Sequence, residues 1–283
     1  MKKINITLIA TLISICSFSQ TFKLNKSTGK LVVFLGKVNI EGYDGKEIIF
    51  STNSSDYEED ERAKGLRAID ASGLDDNSGI GLNITEKQSS IEVRAIGKKN
   101  EKNFTIKVPS NMAVRCEFDK AIGSGTIKIK NVTGEVEVAV VYNRVVLENL
   151  SGPLTISTTY GKLDCSLTAN PKGPISLVAP YGHVDLSVDP NIKANVNLYA
   201  PYGDIFASSD IKIDIDKKDS DMVSYSSSSV KGKINGGGLA LSIKSNWGKI
   251  YLRKIGDLKK INEDADTRNK VNRNATININ EDN

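Results

Sequence analysis

The chain has 283 residues, of which 39% are hydrophobic, 25% charged and 6% aromatic, a balance that excludes disordered and polytopic membrane proteins. Its 38 Lys and Arg against 34 Asp and Glu give a net charge of +4, about +2 without Lys2 and Lys3. That charge is too weak and too dispersed for nucleic acid binding.

Met1-Lys2-Lys3 is a basic start, Ile4 to Cys16 is a short apolar run, and Ser17 and Ser19 are small residues two apart. Residues 1–20 therefore read as a signal peptide cleaved beside Gln20, and the mature chain as an exported envelope or secreted protein. A lipidated Cys16 is the rival, disfavoured because bulky Ile15 precedes it. The apolar run is too short to span a membrane, and no later segment qualifies.

Residues 21–120 carry short strands at Leu31–Leu35, Val38–Ile40, Glu47–Phe50, Ile80–Ile84, Ser90–Ala95, Phe104–Val108 and Ala113–Phe118. The acidic run from Asp56 to Arg62 reads as a solvated loop rather than a cation site.

A period of nine begins at Gly125 and continues through Gly134, Asn143, Gly152 and Gly161; Gly173, Gly182, Ala194 and Gly203 extend it in steps of twelve and nine. Asn143 stands where glycine is expected, as the residue that best tolerates positive φ. Two and four residues after each of these positions the side chains are apolar, as in Ile127 and Ile129 or Leu163 and Cys165. Period-two alternation restarted at each turn means a short strand with one buried face per half-repeat. The expectation is an all-β, parallel β-solenoid with 18–21-residue rungs, regular over about 121–207, in a single domain at 21–255 followed by a polar tail at 256–283.

Two side-chain columns follow from the period. Asn131, Asn149, Asn170 and Asn191 recur at the rung spacing and predict an asparagine ladder. Tyr142, Tyr160, Tyr181 and Tyr202 form an aromatic column, and Trp247-Gly248 repeats the aromatic-Gly pair. The column is either an exposed platform for a ligand or an internal stack. Strand parity (Ile156, Thr158 and Tyr160 share one face) favours the internal stack. The phase also places Cys116 at a turn two and a half rungs before Cys165, too far for a disulfide, so both thiols are expected free and buried.

The sequence carries no chemistry at motif level. His183 is the one histidine, so no His-rich or Cys/His metal site and no HExxH exists, and no phosphate loop or GxSxG elbow is present. His183 reads as a turn residue. Asp164 and Asp185, one rung apart and outward, with Glu137 on the alternate half, are the carboxylates that a solenoid polysaccharide hydrolase or lyase would use. Their number is too small to favour that reading. No catalytic residue, metal or cofactor is expected.

Three stretches resemble the bacterial putative-adhesin family of β-strand-repeat proteins, a domain of unknown function similar to the auto-transporter adhesin head domain. They are Val108-Pro109-Ser110-Asn111-Met112-Ala113-Val114, the turns Asn149-Leu150-Ser151-Gly152 and Thr159-Tyr160-Gly161-Lys162-Leu163, and the closing pair Lys231–Gly238 and Trp247–Arg253. Lys64-Gly65-Leu66-Arg67 resembles an early segment of the same family. The resemblance covers roughly residues 30–254. It implies a β-helix-like fold and an adhesin-like binding module, not an enzyme, for a protein or polysaccharide ligand at the cell envelope. The alternatives are an envelope scaffold or stress-linked accessory protein, and a carbohydrate-active enzyme.

Overall fold

The computed structural model describes residues 20–52, 62, 65–66, 69, 71–96, 103–216 and 228–257. The expected signal peptide before Gln20, most of the acidic run and most of the expected polar tail, from residue 258 on, lie outside the described residues. The chain is all-β. Its strands are β1 (Gln20–Leu24), β2 (Lys30–Phe34), β3 (Val38–Tyr43), β4 (Ile48–Thr52), β5 (Leu82–Glu86), β6 (Ser90–Ala95), β7 (Phe104–Pro109) and β8 (Ala113–Phe118). Then come β9 (Thr126–Lys130), β10 (Val136–Val140), β11 (Arg144–Leu150), β12 (Leu154–Thr158), β13 (Leu163–Leu167), β14 (Ile175–Val178), β15 (Val184–Val188), β16 (Ala194–Ala200) and β17 (Ile205–Ala207). The last are β18 (Ile213–Ile215), β19 (Ser228–Ile234), β20 (Leu239–Lys244) and β21 (Ile250–Lys254).

From β8 to β17 the chain alternates between two sheets, and neighbours within each sheet are mostly parallel. Val136 aligns with Leu154 and Leu154 with Ile175; in the other sheet Val145 aligns with Leu163 and Leu163 with Val184. These offsets are the 18 and 21 residues of the sequence pattern. Neither sheet closes on itself: one runs from β1 to β17, the other from β18 to β5. The apolar faces meet in one continuous core from Leu31 to Leu252. Each buried Val, Leu or Ile there stabilises the fold by about 1.5–3 kcal/mol.

Strand order departs from chain order at both ends. β20 lies between β14 and β16, and β21 between β15 and β17. Ile175 and Val196 both align with Leu241, and Val184 and Ile205 both align with Ile250. β2 and β3 are likewise inserted, β2 between β6 and β8 and β3 between β7 and β9. Strand order therefore follows chain order from β8 to β15, and β16 and β17 stack on the inserted β20 and β21. The period fixes the register along a strand but not its neighbour, and β20–β21 carry the same phase. Beyond the parallel strands, antiparallel β4 and β1, β5, and β19 and β18 line the ends.

The corner glycines serve close approach rather than positive φ. A Cβ on Gly182 would lie 1.7 Å from the Gly161 carbonyl oxygen, and one on Gly161 would lie 1.8 Å from that of Asn143. Neither adopts positive φ, and neither does Asn143. Buried Asn143 instead donates through Nδ2 to the Gly36 and Gly125 carbonyls, at 2.6 and 3.3 Å. Left-handed backbone occurs at the opposite corner, at Asn131 and Asn149, where Asn149 Nδ2 donates to Asn131 Oδ1 at 2.8 Å. That ladder does not run on to Asn170 as expected, and the inserted β19–β20 turn, where Asn235 donates to the Pro190 and Ile192 carbonyls, separates Asn170 from Asn191.

Cys116 lies within β8, not at a turn, because the step from β8 to β10 is 22 residues (Val114 to Val136). It faces the core from one sheet and Cys165 from the other. Both thiols are free and buried, as expected.

Candidate ligand-binding face

At the corner where strands of one sheet turn into the other, five rungs each place one aromatic residue. Each aromatic N–H donates to the carbonyl before the aromatic of the adjacent rung. Tyr160 donates to Val141 (2.7 Å), Tyr181 to Thr159 (3.1 Å), Trp247 to Pro180 (2.8 Å) and Tyr202 to Asn246 (3.1 Å). This backbone ladder orders the column as Tyr142, Tyr160, Tyr181, Trp247, Tyr202. Trp247 enters between two tyrosines because β20 enters between β14 and β16.

The rings form two stacks, Tyr142–Tyr160–Tyr181 and Trp247–Tyr202. Centroids of Tyr142 and Tyr160 are 5.4 Å apart, those of Tyr160 and Tyr181 4.9 Å, and those of Tyr202 and Trp247 4.2 Å, with interplanar angles of 16°, 22° and 11°. All five are exposed, by 45% at Tyr142 to 67% at Tyr202. The internal stack favoured by parity is thereby corrected. Thr158, Ala179, Ala200 and Ser245 face inward as alternation requires, but the chain then bends, and two residues later the ring points out. Alternation holds along a strand and is reset at a corner. The inward hydroxyls satisfy corner carbonyls: Thr158 Oγ1 donates to Asn143 and Ser245 Oγ to Gly182, at 2.7 and 2.8 Å.

Two residues after each ring runs a second row: Arg144, Lys162, His183, Lys249 and Asp204. Lys162 and Lys249 are exposed, and His183 is half-buried rather than a free turn residue. The next row along the strands holds Val146, Asp164, Asp185, Tyr251 and Phe206, in register. Phe206 and Tyr251 stack at 5.5 Å, and His183 meets Tyr251 edge-on at 6.1 Å.

The two aspartates are neighbours on one outer face, as the period requires, and only 4–5% exposed. Asp164 accepts from Arg144 Nη2 at 2.6 Å and Nε at 3.0 Å, and pairs with His183 Nε2 at 3.2 Å. Asp185 accepts Arg253 Nε on both oxygens, at 2.8 and 2.9 Å. Desolvation pushes the Asp164 carboxyl up, but His183 and Arg144 outweigh it and hold it below the usual carboxylate range. At Asp185 desolvation prevails over Arg253, with the Asp164 charge adding to it, so that carboxyl is raised. Glu137, on the other sheet, is bound by Lys30 and Arg115. Each candidate catalytic carboxylate is thus already committed to a basic side chain. Among the described residues no group of three or more His, Cys, Asp or Glu could hold a metal ion. No helix there is long and apolar enough to cross a membrane.

The sequence located every ring of the column but not its order or exposure. It missed the basic row, although the residue two after each aromatic is Arg, Lys, His and Lys in four rungs. Polar turn residues carry no signal until the rungs are stacked in their true order.

No protein-family model and no curated protein matches the chain. Two solved structures are similar at low identity. One, from Clostridium sporogenes, is described as a "putative cell adhesion protein" and is 14% identical, with 83% of this chain and 99% of that one covered and a TM-score of 0.42. The other, from Parabacteroides distasonis, is described as a "putative lipid binding protein" and is 12% identical, with coverage of 83% and 97% and a TM-score of 0.20.

Proposed function

We propose that the protein is an exported, non-enzymatic binding module of the cell envelope, adhesin-like in kind. Its frame on this reading is a parallel β-solenoid in which each rung contributes one element of the contact surface. The observation that carries the reading is the exposed column of Tyr142, Tyr160, Tyr181, Trp247 and Tyr202. Contiguous exposed aromatics mark interaction sites, and Tyr and Trp are the side chains most enriched where binding energy concentrates. The rings are already stacked, so little side-chain freedom remains to be lost on binding. The ion-paired carboxylates speak against a hydrolase or lyase, which needs an accessible acid and base.

The test is retention of the mature chain on isolated envelope material, compared with a Tyr160→Ser/Tyr181→Ser variant. The expected result is loss of retention with the urea midpoint lowered by no more than the stacking of two half-exposed rings explains, about 0.5–1.5 kcal/mol per pair. Unchanged retention in a folded variant removes the column from the binding surface.

A further inference from the structure

We infer that the ligand of this face is a linear acidic polysaccharide lying along the column axis, one sugar unit per rung. The inference rests on the proposed binding role and specifies its ligand. Three observations carry it.

The first is regularity. The aromatic corner repeats once per strand spacing over five consecutive rungs, a straight track of roughly 19 Å. A surface that repeats at one fixed interval is complementary to a partner that also repeats. An extended glycan has that property, since it repeats one ring-sized unit after another. A globular protein surface not built from stacked strands has no such period.

The second is charge. Beside the rings of Tyr142, Tyr160, Tyr181 and Trp247 stand Arg144, Lys162, His183 and Lys249, one basic residue per rung. On the other side of the column the residues are neutral: Val141, Thr159, Pro180, Asn246 and Pro201. The flank with Arg144, Lys162 and Lys249 is therefore the more basic one, and Asp204 closes that row beside Tyr202. Lys249 pairs with Asp204 at 3.4 Å, both exposed; such a pair is worth little and exchanges readily for a ligand carboxylate. Arg144 is held in place by buried Asp164, which fixes where its charge lies. A unit bearing one carboxylate per sugar would meet Arg144, Lys162 or Lys249 on three of the five rungs, while the Tyr202 rung carries Asp204.

The third is ring orientation. The rings use their faces on each other, so solvent meets ring edges and phenolic hydroxyls. Single-stranded nucleic acid is also a linear polyanion, but it binds aromatics by stacking bases on open ring faces. Here the faces within the Tyr142–Tyr160–Tyr181 stack and the Trp247–Tyr202 stack are taken up by neighbouring rings. Hydroxyl-rich sugars can hydrogen-bond to a row of phenols and rest against ring edges without displacing any ring.

The experiment is titration of the mature chain with oligogalacturonates of two, four and six units, with neutral glucan oligomers of equal length, and with hexathymidylate. The expected result is affinity that rises at least about tenfold from two to six units as further rungs are engaged. Binding should weaken several-fold between about 0.05 and 0.5 M salt. Lys162→Gln/Lys249→Gln should weaken it about fivefold or more, because both cations approach the ligand directly. Equal binding of neutral and acidic oligomers, affinity independent of length, or tighter binding of hexathymidylate overturns the inference. If the tyrosine variant loses envelope retention while no acidic oligomer binds, the ligand is not an acidic polysaccharide and the binding role stands. If the tyrosine variant keeps retention, the binding role itself falls.

Discussion

Asp164 and Asp185 have the same side chain, occupy the same row and are equally buried, yet they titrate in opposite directions. The difference is the number of donors: Asp164 has Arg144 and His183, Asp185 has Arg253 alone. A carboxyl held below its ordinary value contributes stability above the unfolded pKa of about 3.9, and that contribution is lost as pH falls through the lower folded value. A raised carboxyl does the reverse: it costs stability at neutral pH, and the cost is relieved as pH falls through the raised folded value. Asp164→Asn should therefore destabilise the fold at pH 7 by about 1.5–3 kcal/mol, the range for hydrogen bonds to charged groups. The deficit should shrink once pH falls below about 4. Asp185→Asn should cost less at pH 7. Urea melts of both variants at pH 7 and pH 3.5 check this, and a deficit at Asp164 that does not change with pH refutes it.

At the scale of elements, β20 is the strand on which the late rungs depend. Ile243 is fully buried and aligned with Leu177 on one side and Leu198 on the other. Ile243→Ala should cost about 2–5 kcal/mol, the range for truncating a core Ile, and should act on β14 and β16 together. Hydrogen exchange should show increased opening at Leu177 and Leu198 alike; an effect confined to one of them contradicts the insertion. The strands were legible in the sequence because alternation is local. All seven strands read between residues 31 and 118 are present, within two residues at their starts. The inserted order was not legible, because any strand of the same phase fits any gap of the same register. The signal that existed was Trp247-Gly248, which continues the aromatic-Gly series with Ile250 and Leu252 in the right positions. The exposure of the rings was misread for a related reason: parity was carried across the bend that follows Thr158 and Ala179.

At the scale of the whole molecule, the two thiols report on the fold as a unit. Cys116 belongs to one sheet and Cys165 to the other, and both face the core between them. Burial pushes the Cys116 thiol up to about 12 and raises Cys165 further, with the neighbouring Asp164 charge adding to it. The thiolate is the reacting species, so both are protected by protonation as well as by access. Neither can be reached by fraying an end, because β8 is flanked by β2 and β10, and β13 by β11 and β15. Modification must then wait for opening of the stack itself. Labelling by a thiol reagent at pH 8 should be slower in the native chain than in urea by a factor of about 10³ or more, the smallest folding equilibrium constant of an ordinary domain. The two cysteines should be labelled together, since one continuous core links them. Without reductant, no peptide joining Cys116 to Cys165 should form. Rapid native labelling of one cysteine alone would show that the two sheets open independently, and would replace the single core with two separately unfolding units.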